Sequence, residues 1–381
     1  MFKKLVKLFI YLILSPLVFF ISLLKPIKFL KFAELGSQSF GVFLSEIEGY
    51  LYNKNFSKEL SKSKIIFFFG PLISNKQLKT MSQRLISILP HTKFLKILCQ
   101  AFVFFKKKDH VLNLGPYNFY NSFYLIKNNI KPHIFFTDGE LEKGLEELKK
   151  MGIGSSDEFV CISNRDSLYL NKALPGLWSK KFDSWSYHNH RDFSVETLKP
   201  ASNFFVKEGF FVLRMGKFVK EKLTINSQKF IDYANSKYQS DFLDIYLPSK
   251  CKFSLCGDGG LAIIPYVFNK PVYGVNFSST MLWEKNRPYL SLFIFKRIKN
   301  LKNGKLLSIK EILNSDFAHA GTANIFDKNS VQPISNSAKE VEIFSNEINK
   351  HINGQEIFSK EDLEIQKKFW EIYIKNSQHK N

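Results

Sequence analysis

Two turns rich in positive charge follow apolar runs in the second half of the sequence. Arg165 and Asp166 come directly after one strand-like run, and Arg214 and Lys217 stand at the end of the next. A guanidinium group at a strand end can hold a phosphate through two parallel hydrogen bonds, and a lysine adds a compact positive charge. The turns predict binding of a phosphorylated ligand, with a solvated Arg–Asp pair or a basic surface turn as the alternative.

A glycine-rich turn follows a third apolar run. Gly257, Asp258, Gly259 and Gly260 stand between residues 252–256 and a predicted helix. Amide groups at such a turn can bind a pyrophosphate, because the helix adds the positive end of its dipole and glycine lets the ligand approach the backbone. The spacing is not that of the common dinucleotide or P-loop motifs. Asp258 would repel a phosphate unless it caps the helix or binds a sugar hydroxyl.

A polar cluster at residues 187–192 lies between the first two of these turns. Its Arg191 is a further candidate for the phosphate-binding set, and an ordinary surface loop is the alternative interpretation. His188 and His190 have no third ligand at a spacing that suits zinc. We therefore predict no metal site.

Alternating strands and helices must position these turns. The strand candidates of the second half are residues 158–163, 210–214, 229–233, 252–256 and 272–275. Helices are predicted at residues 194–208, 240–247 and 260–268. Strands that are apolar on both faces and alternate with helices indicate a parallel, doubly wound sheet, which binds its ligands at the carboxyl ends of its strands. We therefore expect the three turns at one edge of one sheet.

The first half of the chain predicts a second, smaller α/β unit. Its strand candidates are residues 64–69, 102–105 and 133–136, and its helices are residues 76–89 and 140–151. Two more helices are predicted near the C-terminus, at residues 337–352 and from residue 360 onward. A chain of 381 residues is long enough for two domains.

Residues 8–24 form an apolar run with lysines on both sides. A length of about 17 residues is at the short edge of what a membrane-spanning helix needs. We favour shallow insertion at the cytoplasmic face of a bacterial inner membrane, with residues 27–32 as an interfacial segment whose lysines reach the headgroups. An ordinary buried N-terminal helix is the alternative.

The charge balance points to a polyanionic partner, since 55 basic and 34 acidic residues give a net charge of +21. The lysines are dispersed along the chain without a basic–aromatic repeat, which disfavours nucleic acid as that partner. An anionic membrane surface and an anionic substrate are the preferred partners. The four cysteines are widely spaced and are predicted to be free thiols in a reducing cytoplasm.

Three segments resemble a family of bacterial glycosyltransferases that are encoded with surface-polysaccharide genes. These segments are residues 160–170, 187–217 and 241–276. Residues 333–354 look like the helix region near the C-terminus of that family. More distantly, the layout is similar to O-fucosyltransferase-like enzymes of the glycosyltransferase B fold, whose arginine-bearing strand end matches Arg165. Ser163 stands where the family tends to have a histidine.

The resemblance implies an α/β fold of two Rossmann-like domains that face each other across a cleft. The apolar run adds an N-terminal membrane-associated hydrophobic helix to this fold. The expected divisions are a membrane anchor at 1–32, an acceptor-side domain at 33–154, a nucleotide-sugar-binding domain at 155–335 and C-terminal helices at 336–381. If the roles of the family's residues hold here, Arg165 binds the donor phosphates, helped by Arg214, Lys217 and the amides of residues 257–260. Departures from the family pattern, for example at residues 39–42, keep a noncatalytic nucleotide-sugar-binding homologue as the alternative.

The activity implied is transfer of a hexosyl or deoxyhexosyl group from a nucleotide-sugar to a surface glycan or lipid-linked acceptor, with inversion expected from the O-fucosyltransferase comparison. We expect no cofactor and no metal, because fixed cations can neutralise the charge on the departing diphosphate. A general base must also take the proton of the acceptor hydroxyl. The candidates for that base are Glu46, Glu48, Asp138 and Glu140.

Overall fold

The computed structural model describes residues 2–27, 29–54, 56–115, 131–177, 183–278, 291–318, 322–355 and 358–377. Contacts along the backbone divide the chain into two compact units, Met1–Thr137 and Asp138–Asn381, which we call unit 1 and unit 2. The main sheet of each unit is parallel. The α/β class predicted from the sequence is thereby confirmed.

Unit 1 is built on a small parallel sheet in which β2 is the middle strand. The strands are β1 (Phe29–Leu35), β2 (Ser63–Phe69) and β3 (Ile88–Leu89). The helices are α1 (Phe2–Leu23), α2 (Phe40–Lys54), α3 (Lys58–Lys62), α4 (Lys76–Leu85) and α5 (Lys93–Phe104). The helix predicted at 76–89 is therefore shorter than expected, because the chain leaves α4 after Leu85 and enters β3.

Local capping sets where two of these helices begin. The side chain of Asn75 accepts a hydrogen bond from the amide of Leu78 at 2.8 Å, at the start of α4. Thr92 accepts one from the amide of Leu95 at 3.2 Å, at the start of α5. Such caps satisfy an amide that the helix itself leaves without a partner, and each is typically worth about 1 kcal/mol.

One side of α1 belongs to the hydrophobic core of unit 1. Tyr11, Val18 and Ile21 are buried there among side chains of β1, β2 and α5. The hydroxyl of Tyr11 donates a hydrogen bond to Gln100 of α5 at 3.1 Å. The other side of α1 exposes large apolar side chains, among them Phe9, Leu12, Ile13, Phe19, Phe20 and Leu23.

Two strand predictions for unit 1 are wrong. Residues 102–105 were expected in a strand, but Phe102 lies in α5, because it continues the helical spacing of Leu95 and Leu98 on the buried face of α5. Residues 133–136 form no strand, because Glu48 instead accepts the hydrogen bond of the Ile134 amide at 2.6 Å.

The prediction of an interfacial segment at residues 27–32 is also wrong from Phe29 onward. Residues from Phe29 onward lie in β1, which pairs in parallel with β2. Lys31 points into the protein and forms an ion pair with Glu59 at 2.6 Å, and Phe32 packs in the core. The lysines around the apolar run are therefore not all available to a membrane surface.

Unit 2 contains a six-stranded sheet in the order β6-β5-β4-β7-β8-β9, with every neighbouring pair parallel. Its strands are β4 (Phe159–Ser163), β5 (Phe211–Arg214), β6 (Phe230–Ile231), β7 (Ser254–Cys256), β8 (Val272–Phe277) and β9 (Leu292–Phe295). An antiparallel pair follows, β10 (Arg297–Asn300) with β11 (Val331–Ile334). The parallel sheet predicted for the second half is confirmed.

The helices of unit 2 connect and cover these strands. They are α6 (Asp138–Lys150), α7 (Leu168–Ala173), α8 (Lys199–Lys207), α9 (Leu243–Lys250), α10 (Ile263–Val267), α11 (Ile309–Leu313), α12 (Asn324–Lys328), α13 (Ala338–Ile352) and α14 (Lys360–Ser377). Short 3-10 turns include Trp185–Arg191, Val195–Leu198 and Gly260–Ala262. The helix predicted at 260–268 is thus a 3-10 turn followed by the five-residue α10.

The core of unit 2 holds the strand ends in place. Val160, Val212 and Leu255 of the central strands are fully buried, and α8 and α13 pack over them. A capping box at Ser337 and Glu340 fixes the start of α13. By its contacts α6 belongs to unit 2, whereas the predicted acceptor-side domain included it; the roles assigned to the domains stay predictions.

Candidate functional site

Five charged side chains gather at the carboxyl edge of the six-stranded sheet. We call them the strand-end cluster: Arg165, Arg191, Asp192, Asp258 and Lys296. Three of them follow strands β4, β7 and β9, and the other two come from the 3-10 turn at 185–191 and the residue after it. The carboxyl ends of parallel strands meet at one edge, which is where such sheets bind ligands.

Ion pairs organise the cluster. One terminal nitrogen of Arg165 bonds a carboxylate oxygen of Asp192 and, at 3.1 Å, the backbone oxygen of His188. One terminal nitrogen of Arg191 donates to the carboxylate of Asp258 at 2.9 Å and to the backbone oxygen of the same residue at 2.8 Å. The two guanidinium groups are thus held in fixed positions by carboxylates on neighbouring segments.

Lys296 completes the cluster, although it was not among the site residues predicted from the sequence. Its Nζ donates to the backbone oxygens of His190 at 3.0 Å and Asp192 at 2.6 Å, and the residue is only 5% exposed. Burial lowers the pKa of Lys296 to about 8. The signal was present, because Lys296 directly follows the apolar run 292–295, as Arg165 follows its own strand.

The cluster carries more positive than negative charge in a largely dehydrated setting. Three cations face two carboxylates. Burial lowers the pKa of Arg165, and the charge of Arg191 lowers it further. Burial likewise raises the pKa of Asp192. Because charged groups are costly to bury without full compensation, an anion bound beside these cations would be stabilised.

A neutral imidazole borders the cluster. Burial lowers the pKa of His188 to about 4, with repulsion from Arg191 as the next cause. Its ring lies over Trp185 at 6.1 Å between centroids, and within the described parts of the chain its Nδ1 has no hydrogen-bond partner. A buried nitrogen of this kind is free to meet a polar group of a ligand.

Arg214, predicted to bind phosphate, occupies a different environment. Its side chain is 0% exposed and bonds Asp232 at 3.4 Å and Asn164 at 3.1 Å. Asp232 also accepts a hydrogen bond from the amide of Leu223. These contacts tie the ends of β4, β5 and β6 together, so the placement of Arg214 is that of a buried structural ion pair.

Lys217 and Asp166 also have partners outside the cluster. Lys217 pairs with Asp241 at 2.6 Å, and both side chains are partly exposed. Asp166 accepts hydrogen bonds from the amides of Leu168 at 2.8 Å and Lys220 at 3.1 Å, so it fixes the turn that leads into α7. Their predicted part in donor binding stays a prediction.

The glycine-rich turn packs tightly beside the cluster. A Cβ on Gly257 would lie 2.3 Å from the ring of Phe193, so only glycine fits there. The amide of Gly257 donates to the backbone oxygen of Ser163 at 3.0 Å, which commits it to the β4–β7 connection. Gly259 precedes the 3-10 turn that Gly260 begins. The phosphate-binding role predicted for the amides of this turn stays a prediction.

The two base candidates of unit 1, Glu46 and Glu48, lie in different environments. Glu46 is partly exposed, and its Oε2 accepts a hydrogen bond at 2.7 Å from the amide of Gly36, the residue after β1. Burial raises the pKa of Glu46 to about 7 against the lowering effect of that hydrogen bond, and the neighbouring carboxylate of Glu34 raises it further. Glu48 is only 2% exposed and is held by Ile134 and His133.

The other two base candidates lie in unit 2. Asp138 and Glu140 stand in the first turn of α6, where their negative charge suits the positive end of the helix dipole. Within unit 1, Glu46 is therefore the candidate whose exposure and pKa suit proton transfer near neutral pH.

No protein-family model and no curated protein matches the chain. Three solved structures are distantly similar in fold. ADP-heptose lipopolysaccharide heptosyltransferase II of E. coli has 11% identity and a TM-score of 0.38, over 70% of this chain and 90% of its own. A family 9 glycosyltransferase of Veillonella parvula has 9% identity and a TM-score of 0.40, over 70% and 86%.

The third is the wall teichoic acid polymerase TagF, with 10% identity and a TM-score of 0.27, over 86% of this chain and 89% of its own. At scores this low, the activities named for these proteins remain theirs and are not carried over. The likeness to O-fucosyltransferase-like enzymes stays a prediction.

Proposed function

We propose that the chain is a glycosyltransferase that uses a nucleotide-sugar donor and holds the donor's diphosphate at the strand-end cluster. The observation that carries this proposal is the meeting of Arg165, Arg191 and Lys296 at the carboxyl edge of one parallel sheet. A diphosphate is the anion that suits several fixed cations at such an edge.

The cations would act mainly on the leaving group. During transfer, negative charge grows on the diphosphate oxygen that leaves the anomeric carbon, and preorganised positive charges stabilise it. Asp192 and Asp258 position the guanidinium groups before the donor arrives. No divalent metal is required in this scheme, because the protein itself supplies the positive charge.

The transfer itself makes one bond and breaks one. The acceptor hydroxyl oxygen attacks the anomeric carbon, the bond from that carbon to the diphosphate oxygen breaks, and the nucleoside diphosphate leaves with the electron pair. We assign the acceptor's proton to the carboxylate of Glu46. With a pKa of about 7, this group is partly ionised at neutral pH and still basic enough to accept a proton. Direct attack of this kind inverts the anomeric configuration.

Membrane association is part of the proposal. The stretch Lys4–Leu23 is long and apolar enough to cross a membrane. It contains Tyr11, Val18 and Ile21, and a spanning helix would pull these residues out of the core of unit 1. We therefore place α1 in the membrane interface, with its exposed apolar side in the lipid and an anionic cytoplasmic leaflet attracting the basic chain.

Ligand-induced stabilisation tests the donor site. The full chain in zwitterionic nanodiscs is heated with a panel of nucleoside diphosphates and nucleotide-sugars in the presence of EDTA. A ligand at about one hundred times its Kd should raise the free energy of unfolding by about 2.7 kcal/mol. The shift should disappear in Arg191→Gln and persist in Arg297→Gln, whose arginine forms a partly exposed pair with Glu340 in the same unit.

The outcomes separate the proposal from its alternatives. Binding together with release of nucleoside diphosphate in the presence of acceptor supports the glycosyltransferase. Binding without turnover would assign the chain to noncatalytic nucleotide-sugar binding. The absence of a shift with every ligand, with and without Mg²⁺, would contradict the donor site altogether.

A further inference from the structure

A groove runs along unit 1 between α1 and α5. It encloses about 460 Å³, within the range of about 300–1,000 Å³ that is typical of ligand clefts. Its lining includes Tyr11, Cys99, Val103, Phe104 and Val111, which make most of its wall apolar. No residue of the strand-end cluster lines this groove.

The apolar wall of the groove is itself partly exposed. Val103 is 56% exposed and Phe104 is 49% exposed, and the ring of Phe104 lies 5.1 Å from the ring of Tyr11 between centroids. Large apolar groups gathered in this way on a surface mark a site of lipid or protein contact. The apolar wall of the groove therefore suits a hydrocarbon chain.

The other part of the groove is polar and carries a positive excess. Lys96 forms an ion pair with Glu34 at 2.9 Å, and both side chains are partly exposed. Lys7 lies with its Nζ 5.6 Å from the centre of the Tyr11 ring, and among the described residues no carboxylate is within ion-pair distance of it. Two lysines against one carboxylate favour an anionic headgroup.

This polar end is close to the proposed base. Glu34 lies near the end of β1, two residues before Gly36, whose amide holds the carboxylate of Glu46. The charge of Glu34 acts on Glu46 as well. A headgroup bound beside Lys96 would therefore lie near the group to which we assign the acceptor's proton.

We infer that the groove binds the hydrocarbon chain of an anionic, phosphate-bearing amphiphile and that this amphiphile is the sugar acceptor. The inference rests on the proposed function, and it narrows the acceptor from a surface glycan or lipid-linked molecule to an anionic, phosphate-bearing lipid. The hydroxyl that attacks the donor belongs to the headgroup, and its proton passes to Glu46 as described above.

Cys99 provides a reporter inside the groove. It is partly exposed, whereas Cys161, Cys251 and Cys256 are buried, so a small thiol reagent acting on the native chain reacts at Cys99. The full chain in phosphatidylcholine nanodiscs is treated with N-ethylmaleimide, and the modified fraction is followed by mass spectrometry. Burial raises the pKa of Cys99 to about 12, so the reaction is slow and its rate is compared only between samples at one pH.

The probe is decyl phosphate, and the controls are decyl maltoside and inorganic phosphate. At about ten times its Kd, decyl phosphate should slow the modification about tenfold, because only the unoccupied groove reacts. Lys96→Gln should weaken this protection, whereas Lys93→Gln, which changes a lysine of the same helix outside the groove lining, should not. Equal protection by decyl maltoside or by inorganic phosphate, or no protection by decyl phosphate, would overturn the inference.

Two further outcomes distinguish this inference from the proposed function. Nucleotide-sugar binding without protection of Cys99 would overturn the groove assignment and leave the glycosyltransferase standing. Protection without any nucleotide-sugar binding would overturn the glycosyltransferase, and with it the acceptor role. With the donor known, decyl phosphoglycerol, which carries headgroup hydroxyls, should yield a product heavier than itself by one sugar residue; the absence of that product would overturn the acceptor role.

Discussion

The amide of Gly36 donates a hydrogen bond to the carboxylate of Glu46 at 2.7 Å, and this contact places Glu46 at the end of β1. The bond by itself would favour the ionised carboxylate, yet burial outweighs it and raises the pKa of Glu46 to about 7. The group is therefore held in a fixed position and titrates near neutral pH, a combination suited to a general base.

Activity should rise with pH through the pKa of Glu46. Transfer should be slow at pH 5.5, where Glu46 is protonated, should rise as the pH passes about 7, and should fall again above about pH 8, where Lys296 loses its charge. Glu46→Gln should lower kcat by about 10²- to 10⁴-fold with little change in donor binding. Glu48→Gln, which retains Glu46, provides the comparison. If its pH–rate profile matches that of wild type, Glu48 is not the base.

The same group affects stability with a defined sign. Because the folded pKa of Glu46 lies above its ordinary value of 4.5, the folded chain binds a proton more tightly than the unfolded chain. Its contribution to the free energy of unfolding is present below about pH 4.5 and is lost as the pH rises through about 7. Denaturant titrations of wild type and Glu46→Gln from pH 4.5 to 8 should diverge over this window, and parallel curves would contradict the assigned pKa.

Donor affinity should depend on the protonation of Lys296. Since burial holds its pKa at about 8, this lysine loses its charge as the pH rises above that value. Nucleoside-diphosphate affinity should therefore fall between pH 7.5 and 9.5, as measured by calorimetry. Lys296→Gln should bind more weakly at pH 7.5 and lose this part of the pH dependence. An unchanged profile in that variant would remove Lys296 from the donor site.

Arg214 should act on stability. Its guanidinium is fully buried against Asp232 and Asn164, so Arg214→Met leaves the largely buried carboxylate of Asp232 without its cationic partner and should cost about 3–5 kcal/mol of unfolding free energy. Arg297→Met, which breaks a partly exposed pair, should cost about 1 kcal/mol or less. Urea titrations compare the two. A stable Arg214→Met protein with weakened nucleotide binding would instead restore the phosphate-binding role predicted from the sequence.

Two positions on α1 should separate folding from membrane binding. Val18 is 0% exposed and Phe20 is 60% exposed, although they stand two residues apart. Val18→Asp places a charge in the core of unit 1 and should unfold that unit. Phe20→Asp should leave the far-ultraviolet circular dichroism and the melting temperature unchanged, and should reduce flotation with phosphatidylglycerol vesicles. Equal vesicle binding by Phe20→Asp and wild type would contradict an interfacial α1.

The sequence by itself determined the local elements of the second half. Apolar runs of strand length alternate with helices there, and β4, β5, β7 and β8 were predicted within two residues at each end. Because the carboxyl ends of parallel strands meet at one edge, the sequence also predicted that Arg165 and Asp258 lie at that edge, whereas their part in donor binding stays a prediction. In unit 1, short apolar runs are ambiguous, and Phe102 was placed in a strand although α5 buries it.

Tertiary structure alone decided which charged side chains gather at the strand ends and which are held by other partners. Lys296 joins the cluster through the backbone oxygen of His190, 106 residues away in sequence. The carboxylate of Glu48 accepts a hydrogen bond from the amide of Ile134, which lies 86 positions away in sequence, and is therefore already occupied. A side chain's chemistry depends on its burial and on its partners, and long-range packing sets both. For this reason the sequence named most of the candidate residues. Only the fold showed that Arg214 and Glu48 are buried against other partners, unlike Arg165 at the strand ends and the partly exposed Glu46.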